Sequence, residues 1–328
     1  MILAAVAVVA GLAVLVKGAD VFVRGASDGA RLLRVPPLLV GMVVVGFGTS
    51  APELTVSVIS AWRGSPELAL GNAYGSNICN VALILGLCAL VRPLAVKRAA
   101  WTFDLPALLV VTAVSWMLVA LVGAKPSITR LESGIFLLMF LVALWWSAKR
   151  QTATAVVGDD DPAKASEHGG RAGLAAAARV VGGLAALVLS SRALVWGAVE
   201  IARALGVSEL VIGLTIVAVG TSLPELASSL AAARRGEDDL AVGNIIGSNL
   251  FNTLAVVGLA GMVRPMPEVD PYVPWRDIPA SAVAAALLMA FGHPRGGGDG
   301  RLGRVPGALF LVLYIGYLAL LVAGGAVK

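Results

Sequence analysis

The chain has 328 residues, of which 58% are hydrophobic and 14% are charged, with a formal net charge of +5 and a mean hydropathy of +0.89. Soluble domains carry roughly 25% charged residues, so this composition excludes an ordinary soluble or disordered protein. It predicts an all-α integral membrane protein, in which the positive charge belongs to loops and requires no nucleic-acid partner.

Ten apolar segments follow one another along the chain. They contain Gly and Pro and lack the ten-residue alternation of a membrane β-strand, which predicts a bundle of ten transmembrane helices. The first segment has no basic stretch before it and no small-residue cleavage site after it, so it is predicted to be a retained helix rather than a signal peptide. The segments lie near residues 1–23, 36–61, 67–91, 100–122, 129–148, 174–200, 207–233, 239–263, 277–292 and 303–326.

The distribution of basic residues predicts the orientation in the membrane. With ten spans, the loops after helices one, three, five, seven and nine share one side and carry 16 Lys and Arg residues, against 7 on the other side. The positive-inside rule then places both termini outside the plasma or inner membrane of the cell.

We expect one half at residues 1–149, a cytoplasmic linker at 150–173 and a second half at 174–328. The acidic run Asp159–Asp161 lacks the ligand spacing of a calcium loop, which predicts a solvated connector.

The chain contains an internal repeat. Residues 48–93 recur at 220–265, an offset of 172 without a gap, and 23 of the 46 positions are identical. Five helices per half is an odd number, so the second copy enters the membrane from the opposite side and the halves are inverted repeats. Inverted repeats offer two near-equivalent packings, which is the usual basis of alternating access to a site at the midplane.

The repeated positions are polar groups set inside apolar runs. Because Pro52 and Pro224 lack a backbone N–H, each helix is predicted to break there and to free carbonyl oxygens. We expect hard oxygen ligands at the carbonyls of Gly46, Thr49, Ala218 and Thr221. The matching blocks are Gly48-Thr49-Ser50-Ala51-Pro52-Glu53 with Gly220-Thr221-Ser222-Leu223-Pro224-Glu225, and Gly71–Asn80 with Gly243–Asn252.

Glu53 and Glu225 directly follow these prolines. An unpaired carboxylate at the centre of a membrane helix costs about 2.5–3.5 kcal/mol on insertion scales, so a bound ion is the expected partner. Calcium takes roughly six to eight oxygen ligands in flexible geometry, whereas magnesium holds its waters. The sequence places no His or Cys beside the glutamates, which argues against zinc, copper and iron.

Four other side chains of the repeated segments have ordinary explanations. Cys79 and Cys88 are nine residues apart on one predicted helix, too far apart for a disulfide, and we interpret them as small apolar fillers. Asn72 and Asn244 fit two readings equally well, as ion ligands or as the amide hydrogen bonds that join membrane helices. Since no nucleophile with a base, phosphate loop or cofactor motif is present, we expect neither an enzyme nor a cofactor.

The tandem motifs GTSxPEL and GNxxGSNxxN, each present twice, resemble the alpha repeats of the calcium/cation antiporter superfamily, and its sodium/calcium exchangers in particular. The resemblance implies that Ca²⁺ and Na⁺ are exchanged across the lipid bilayer without an obligatory protein partner. It implies a calcium site at Glu53 and Glu225, aided by the carbonyls of Thr49 and Thr221. It also implies sodium and central positions formed by Ser50, Ser76, Ser222, Ser248, Asn80, Asn252 and the carbonyls of Gly46 and Ala218.

Asn252 departs from many prokaryotic members, which resemble this pattern with Asp at that position. The resemblance therefore implies two formal negative charges in the site and no potassium transport, because potassium-dependent exchangers carry the Asp. Calcium/proton exchangers usually have a GNxxE pattern, whose Glu is absent at Asn80 and Asn252. Electrogenic sodium exchange is therefore favoured, and proton exchange is the alternative. A cation channel lined by the same carboxylates is a further alternative, although a channel seldom needs inverted halves.

Overall fold

The computed structural model describes residues 1–123, 125–155, 169–206, 218–294 and 298–325, and these are mostly helical. The helices are α1 (Ile2–Leu32), α2 (Pro37–Val40), α3 (Phe47–Thr49), α4 (Ala51–Trp62), α5 (Glu67–Ile78), α6 (Gly86–Val91), α7 (Leu105–Leu121), α8 (Arg130–Ala155), α9 (Gly169–Ala204), α10 (Ala218–Thr221), α11 (Leu223–Arg235), α12 (Asp238–Phe251), α13 (Val257–Val263), α14 (Ile278–Phe291) and α15 (Arg304–Gly325). Wider π-helical turns continue them at Gly41–Gly46, Cys79–Leu85, Ala100–Asp104, Asn252–Val256 and Val273–Asp277.

Seven helical stretches of the described chain are long and apolar enough to cross a membrane, and the bent pair Pro37–Thr49 and Ala51–Trp62 makes an eighth if it is one span. A helical membrane protein is therefore confirmed. Of the two remaining predicted spans, 207–233 begins outside the described residues, and 277–292 forms α14 behind the charged pair Arg276 and Asp277. The count of ten helices stays a prediction.

The predicted linker at 150–173 is partly helical. Helix α8 continues to Ala155, and α9 begins at Gly169. The acidic run Asp159–Asp161 lies outside the described residues, so its role as a solvated connector stays a prediction.

The centre of the molecule is formed by two helical stretches, Glu67–Val91 and Asp238–Val263, which carry the GNxxGSNxxN motifs. Their membrane windows are 72% and 89% buried, against 17–39% for the other five described spans. Lipid tails are as apolar as leucine, so burial in a membrane protein is not a means of hiding apolar side chains. The burial of these two stretches instead keeps the polar motif residues away from lipid.

Helices α1 and α9 pack against each other along their length, and glycines permit the close approach. A Cβ added at Gly18 would lie 2.9 Å from that of Ala186, and one at Gly25 would lie 2.8 Å from that of Arg179. Small residues at membrane helix interfaces allow the backbones to approach closely. The two helices therefore form a tightly packed pair beside the core.

Irregular backbone recurs at the repeat offset of 172 residues. A positive φ is found at Arg34 (52°) and at Gly206 (79°), and again at Gly64 (100°) and Gly236 (78°). Gly64 follows the end of α4, and Gly236 follows the end of α11, where the chain must reverse. Corresponding residues in the two halves therefore take the same unusual backbone conformation.

Two short β pairings join residues 94–128 of the first half to residues 266–302 of the second. Strands β1 (Leu94–Val96) and β2 (Gly300–Leu302) are antiparallel, with Leu94 opposite Leu302. An isolated bridge pairs Ile128 with Met266, and Met266 is the repeat counterpart of Leu94. Each half thus contributes one strand position just after its motif and one near its last helix.

Candidate cation site

Each motif helix is interrupted at the serine of its GTSxPE block. Ser50, between α3 and α4, has φ −84° and ψ 4°, and Ser222, between α10 and α11, has φ −89° and ψ 10°. The break follows from Pro52 and Pro224, which cannot donate to the carbonyl four residues earlier. In the first half the axis bends by 44°.

The breaks place Glu53 and Glu225 in the first turns of α4 and α11. The free N–H groups and dipole of a helix N-terminus favour a negative charge there. Both residues are buried, with exposed fractions of 0% and 1%. Among the described residues, neither glutamate forms an ion pair with Lys, Arg or His.

Each glutamate accepts a hydrogen bond from the serine of the opposite half. Ser50 Oγ donates to Glu225 Oε1 at 2.9 Å, and Ser222 Oγ lies 3.5 Å from Glu53 Oε1. The Ser222 hydroxyl also lies 3.4 Å from that of Ser76. The structure therefore brings together the two carboxylates and three of the predicted serine ligands across the boundary between the halves.

Several buried oxygens at this site have no hydrogen-bond partner among the described residues. They are Glu53 Oε2, Glu225 Oε2, Asn77 Oδ1, Asn80 Oδ1 and Asn252 Oδ1, and Asn252 Nδ2 is also unpartnered. A buried carboxylate or amide oxygen without a partner is costly, whereas a bound cation would satisfy it. Carboxylate and amide oxygens are the ligands that hard cations such as calcium prefer.

The amides of Asn72 and Asn244 position the glutamate helices. Asn72 Nδ2 donates to the Glu53 carbonyl at 3.2 Å and to Ser57 Oγ at 3.1 Å. Asn244 Nδ2 donates to Ser229 Oγ at 2.8 Å and lies 3.5 Å from the Glu225 carbonyl. Of the two readings of the sequence, the structure favours interhelical hydrogen bonding for both amides.

Two further asparagines belong to this network, and the sequence interpretation missed them. Asn77 Nδ2 donates to Thr253 Oγ1 at 2.8 Å, and Asn80 Nδ2 donates to Asn249 Oδ1 at 3.0 Å. Asn249 Nδ2 lies 3.3 Å from the Asn77 carbonyl. Both missed residues occupy the same position of the repeated GSN triplet, and this repetition was the available signal.

The sequence predicts a free carbonyl at Gly46, but the structure shows it in use. It accepts from Ser50 N at 3.1 Å and lies 3.3 Å from Ser248 Oγ. The physical reason is that Pro52 removes the donor directed at Gly48, not the one directed at Gly46. The Gly46 oxygen therefore accepts from both donors, and ligand roles for this carbonyl and for Ser248 stay predictions.

The predicted threonine ligands occupy the last turns before the breaks. Thr49 Oγ1 donates to the Val45 carbonyl at 3.0 Å and lies 3.2 Å from Asn244 Oδ1. Thr221 ends α10, the helix that begins at Ala218. Ligand roles for the carbonyls of these residues stay predictions.

Cys79 and Cys88 are buried within the hydrophobic core, which agrees with their interpretation as small apolar fillers. Within the described residues, no group of three or more His, Cys, Asp and Glu side chains is placed to hold a metal ion. The candidate ligands here are the unpartnered oxygens of two carboxylates and three amides.

Comparison with known proteins agrees with this geometry. A family model described as sodium/calcium exchanger protein matches residues 3–149 and 175–323. CaxA, a candidate antiporter of Alkalimonas amylolytica, is 42% identical over 330 residues, which cover 98% of this chain and 99% of that protein. The sodium/calcium exchanger MaX1 of Methanosarcina acetivorans is 30% identical, covering 95% of this chain and 96% of that protein.

A solved structure shares the fold along the whole chain. The sodium-calcium exchanger NCX_Mj, soaked with 10 mM Na⁺ and no Ca²⁺, superposes with a TM-score of 0.83 at 29% sequence identity, over 97% of this chain and 98% of that one. Since the family model covers most of both halves and the relatives align over nearly their full length, the chain belongs to the sodium/calcium exchanger family.

Proposed function

We propose that this protein is a secondary antiporter that exchanges Na⁺ for Ca²⁺ across the cell membrane at the Glu53 and Glu225 site. One observation carries the proposal: each glutamate is fully buried, has no ion-pair partner among the described residues and leaves one carboxylate oxygen unpartnered. A buried charge is tolerated when it is paired or coordinates a metal. Family members are exchangers rather than enzymes, which agrees with a transported ion as that partner.

The coordination chemistry favours calcium as the divalent substrate. The five unpartnered oxygens come from two glutamates and three asparagines, and calcium readily combines carboxylate, amide and carbonyl oxygens at flexible geometry. Sodium is also a hard cation that oxygen ligands suit. Because the same oxygens would serve both ions, we propose that competition for shared ligands couples sodium entry to calcium exit.

The architecture supports alternating access. We propose ten transmembrane helices in two inverted halves, because the positive-φ positions and the β pairings recur at the repeat offset. Helices α1 and α9 form a close pair beside the core, so we propose that this pair slides across the ion site. Both termini would then lie outside and the α8–α9 connection in the cytoplasm.

Energetics suggests the stoichiometry. Expelling one Ca²⁺ against a ten-thousandfold gradient and 100 mV takes about 10 kcal/mol. One Na⁺ entering down a tenfold gradient and the same potential supplies about 3.7 kcal/mol. Two ions supply about 7 kcal/mol and three supply about 11 kcal/mol, so calcium expulsion under these gradients needs three sodium ions and moves net charge.

The test is radioactive calcium uptake into proteoliposomes loaded with sodium, with potassium, or with a proton gradient. We expect uptake that requires internal sodium and that is lost in Glu53→Gln and Glu225→Gln. Glu268→Gln is the matched control, because this carboxylate is exposed and pairs with Lys125 at the surface; its uptake should equal that of the unmodified protein. Uptake driven equally by a proton gradient would indicate calcium/proton exchange instead of sodium/calcium exchange. Uptake without any counter-ion would indicate a channel.

We also propose that potassium is not transported. Asn252 contributes a neutral amide whose two polar atoms are unpartnered, so the site has two carboxylates rather than the three of the potassium-dependent pattern. Calcium uptake should therefore be the same when potassium is replaced by an inert organic cation on both sides. Strict dependence on potassium would contradict this proposal.

A further inference from the structure

One hydrogen bond between asparagines at the ion site has an equivalent in the repeat. Asn80 Nδ2 donates to Asn249 Oδ1 at 3.0 Å, which joins a residue of the first half to one of the second. At the offset of 172, Asn80 corresponds to Asn252, and Asn77 corresponds to Asn249. The equivalent hydrogen bond would therefore run from Asn252 Nδ2 to Asn77 Oδ1.

Neither atom of this second bond has a partner. Asn252 Nδ2 and Asn77 Oδ1 are buried, and both lack a hydrogen bond within the part of the chain that the structure describes. A buried donor or acceptor that is left unsatisfied carries the full cost of its desolvation. A cation would satisfy the Asn77 oxygen, but it cannot satisfy Asn252 Nδ2, which is a donor only. The donor requires an acceptor, and the repeat identifies Asn77 Oδ1 as that acceptor.

A difference between the halves at one position explains why only one of the two bonds is formed. Asn77 Nδ2 donates to Thr253 Oγ1 at 2.8 Å. The counterpart of Thr253 in the first half is Val81, which has no hydroxyl group, and Asn249 Nδ2 lies instead 3.3 Å from the Asn77 carbonyl. The Thr253 hydroxyl therefore holds the Asn77 amide through a contact that the first half does not contain.

We propose that Asn77 is a positioning residue for the ion ligand Asn252, and that Asn252 Nδ2 donates to Asn77 Oδ1 when a cation binds to Asn252 Oδ1. A cation attracts the amide oxygen and repels the amide hydrogens, which turns Nδ2 away from the ion. It also polarises the amide, which strengthens the N–H donor. Hydrogen bonds to outer partners orient the ligands of metal sites in the same way. The role of Asn77 rests on the cation binding that the proposed function requires.

This role divides the unpartnered oxygens of the site into two groups. The oxygen of Asn77 is assigned to the Asn252 amide, which leaves the oxygens of Glu53, Glu225, Asn80 and Asn252 for the cation. The amide of Asn80 is already held by Asn249, whereas that of Asn252 is fixed only on binding. The first half thus contributes a preset amide ligand and the second half an adjustable one.

The first experiment measures calcium binding to the purified protein by isothermal titration. We expect the dissociation constant to rise by about tenfold or more in Asn77→Ala, as when a metal ligand loses its outer partner. In an Asn252→Ala background, Asn77→Ala should cause no further loss, because the amide on which it acts is absent. A residue that only joined helices would weaken binding by the same factor in both backgrounds, and that result would overturn the proposal.

Thr253→Val is the matched control for the contact between helices. It removes the hydrogen bond between Asn77 and Thr253 and copies Val81 of the other half, but it keeps the Asn77 oxygen. Its calcium affinity should equal or exceed that of the unmodified protein. A loss of affinity in Thr253→Val as large as that in Asn77→Ala would show that the contact with Thr253 explains the effect, and the proposal would be wrong.

The second experiment observes the hydrogen bond directly by nuclear magnetic resonance and does not depend on transport. Purified protein with isotope-labelled asparagine is saturated with Ca²⁺ or with Na⁺, and the side-chain amide resonance of Asn252 is identified by its absence from Asn252→Ala. We expect each cation to move one Asn252 amide proton downfield, as a new hydrogen bond does, and to move it less in Asn77→Ala. A resonance that responds to neither cation, or that responds equally in Asn77→Ala, would overturn the role of Asn77.

The two experiments separate this role from the proposed function. If the Asn252 resonance behaves as expected but proteoliposomes show no sodium-dependent calcium uptake, the proposed function fails and the role of Asn77 stands. If uptake depends on sodium and on both glutamates while the Asn252 resonance does not respond, the function stands and the role of Asn77 is wrong.

Discussion

At the scale of single residues, the cation site is a place where the fold accepts an electrostatic cost. Removing a carboxylate from water costs several kcal/mol even after relaxation, while a hydrogen bond to a charged group returns about 1.5–3 kcal/mol. Glu225 has one good bond of this kind, from Ser50 at 2.9 Å, and Glu53 has a long one from Ser222 at 3.5 Å. One serine bond for each carboxylate does not offset burial, which supports the proposal that a bound cation stabilises the site.

Calcium should therefore stabilise the folded protein. At a free concentration of about one hundred times its dissociation constant, a ligand that binds the native state adds about 2.7 kcal/mol. We expect a calcium-dependent rise in the unfolding temperature of the purified protein, and its loss in Glu53→Gln and Glu225→Gln. Without ions, these variants should unfold at the same or a higher temperature than the unmodified protein, because a buried charge has been removed.

Glu268→Gln provides the control for this measurement, since it removes an exposed carboxylate that pairs with Lys125 at the surface. Its calcium-dependent rise should match that of the unmodified protein. An undiminished rise in Glu53→Gln would mean that calcium binds elsewhere.

At the scale of helices and turns, the prolines break the motif helices with little local cost. Pro52 and Pro224 are the second residues of α4 and α11, and proline is tolerated in the first turn because the N–H there has no intrahelical partner. Their effect is to redirect the chain, which turns Ser50 and Ser222 toward the opposite half. The break is thus a means of placing ligands rather than a defect of the helix.

Restoring an N–H should damage the site more than the fold. In Pro52→Ala and Pro224→Ala the new amide can bond to the carbonyl of Gly48 or Gly220 and straighten the helix. We expect calcium binding to weaken by about tenfold, or roughly 1.4 kcal/mol, with little change in the unfolding temperature without ions. Pro279→Ala is the control, because Pro279 is also the second residue of its helix, α14. Isothermal titration with calcium makes the measurement, and equal affinities in Pro52→Ala and Pro279→Ala would contradict this role.

One end of α1 is tied to the core by an acidic turn. Glu237 accepts from Ser27 Oγ at 2.8 Å and from Arg31 at 3.3 Å. The same turn continues with Asp238 and Asp239, which pair with Arg92 and Lys97. The counterpart of Glu237 in the first half is Ser65, whose side chain has no carboxylate and cannot form an ion pair. The hydrogen bond that Lys97 donates to Asp239 also raises the pKa of the Lys97 ammonium group.

The Ser27 contact should matter more than the Arg31 ion pair. Ser27 is 4% exposed and its bond to a carboxylate is charge-assisted, worth about 1.5–3 kcal/mol. The Arg31 side chain is 72% exposed, and such surface pairs are worth about 0–1 kcal/mol. We expect hydrogen exchange of the last turn of α1 to accelerate by about tenfold or more in Ser27→Ala and by less than about fivefold in Arg31→Ala.

Ser191→Ala is the matched control, because Ser191 is equally buried but bonds to the Val188 carbonyl of its own helix. It should leave the exchange of α1 unchanged. A larger effect of Arg31→Ala than of Ser27→Ala would show that long-range charge, rather than the buried hydrogen bond, holds this end of α1.

At the scale of the whole molecule, the repeat explains what could be predicted from the sequence. Glu53 and Glu225 could be identified because carboxylates recur at the same position of two apolar segments. Their burial could be inferred from the apolar segment around each of them. The contact of Ser50 with Glu225 could not be predicted, because it depends on how two distant segments pack. The sequence analysis also did not predict that Ser50 N donates to the Gly46 carbonyl. This bond remains because Pro52 removes only the donor directed at Gly48. The π-helical turns could not be predicted either, because neither a residue type nor the hydrophobic pattern distinguishes them from ordinary α-helix.

The proposed exchange of three sodium ions for one calcium ion makes the whole molecule sensitive to voltage. Each cycle moves one net positive charge, and 100 mV acting on one charge is worth about 2.3 kcal/mol. With equal sodium on both sides, a potential of 100 mV should therefore shift the equilibrium calcium gradient by roughly 50-fold. The measurement is calcium accumulation in proteoliposomes whose potential is set by a potassium ionophore, with Glu225→Gln to subtract leak. Because the proposed site does not use potassium, the ions that set the potential do not take part in exchange. A calcium distribution that shifts in the direction expected for two moving charges would indicate uncoupled calcium flow, and one indifferent to potential would indicate electroneutral exchange of two sodium ions.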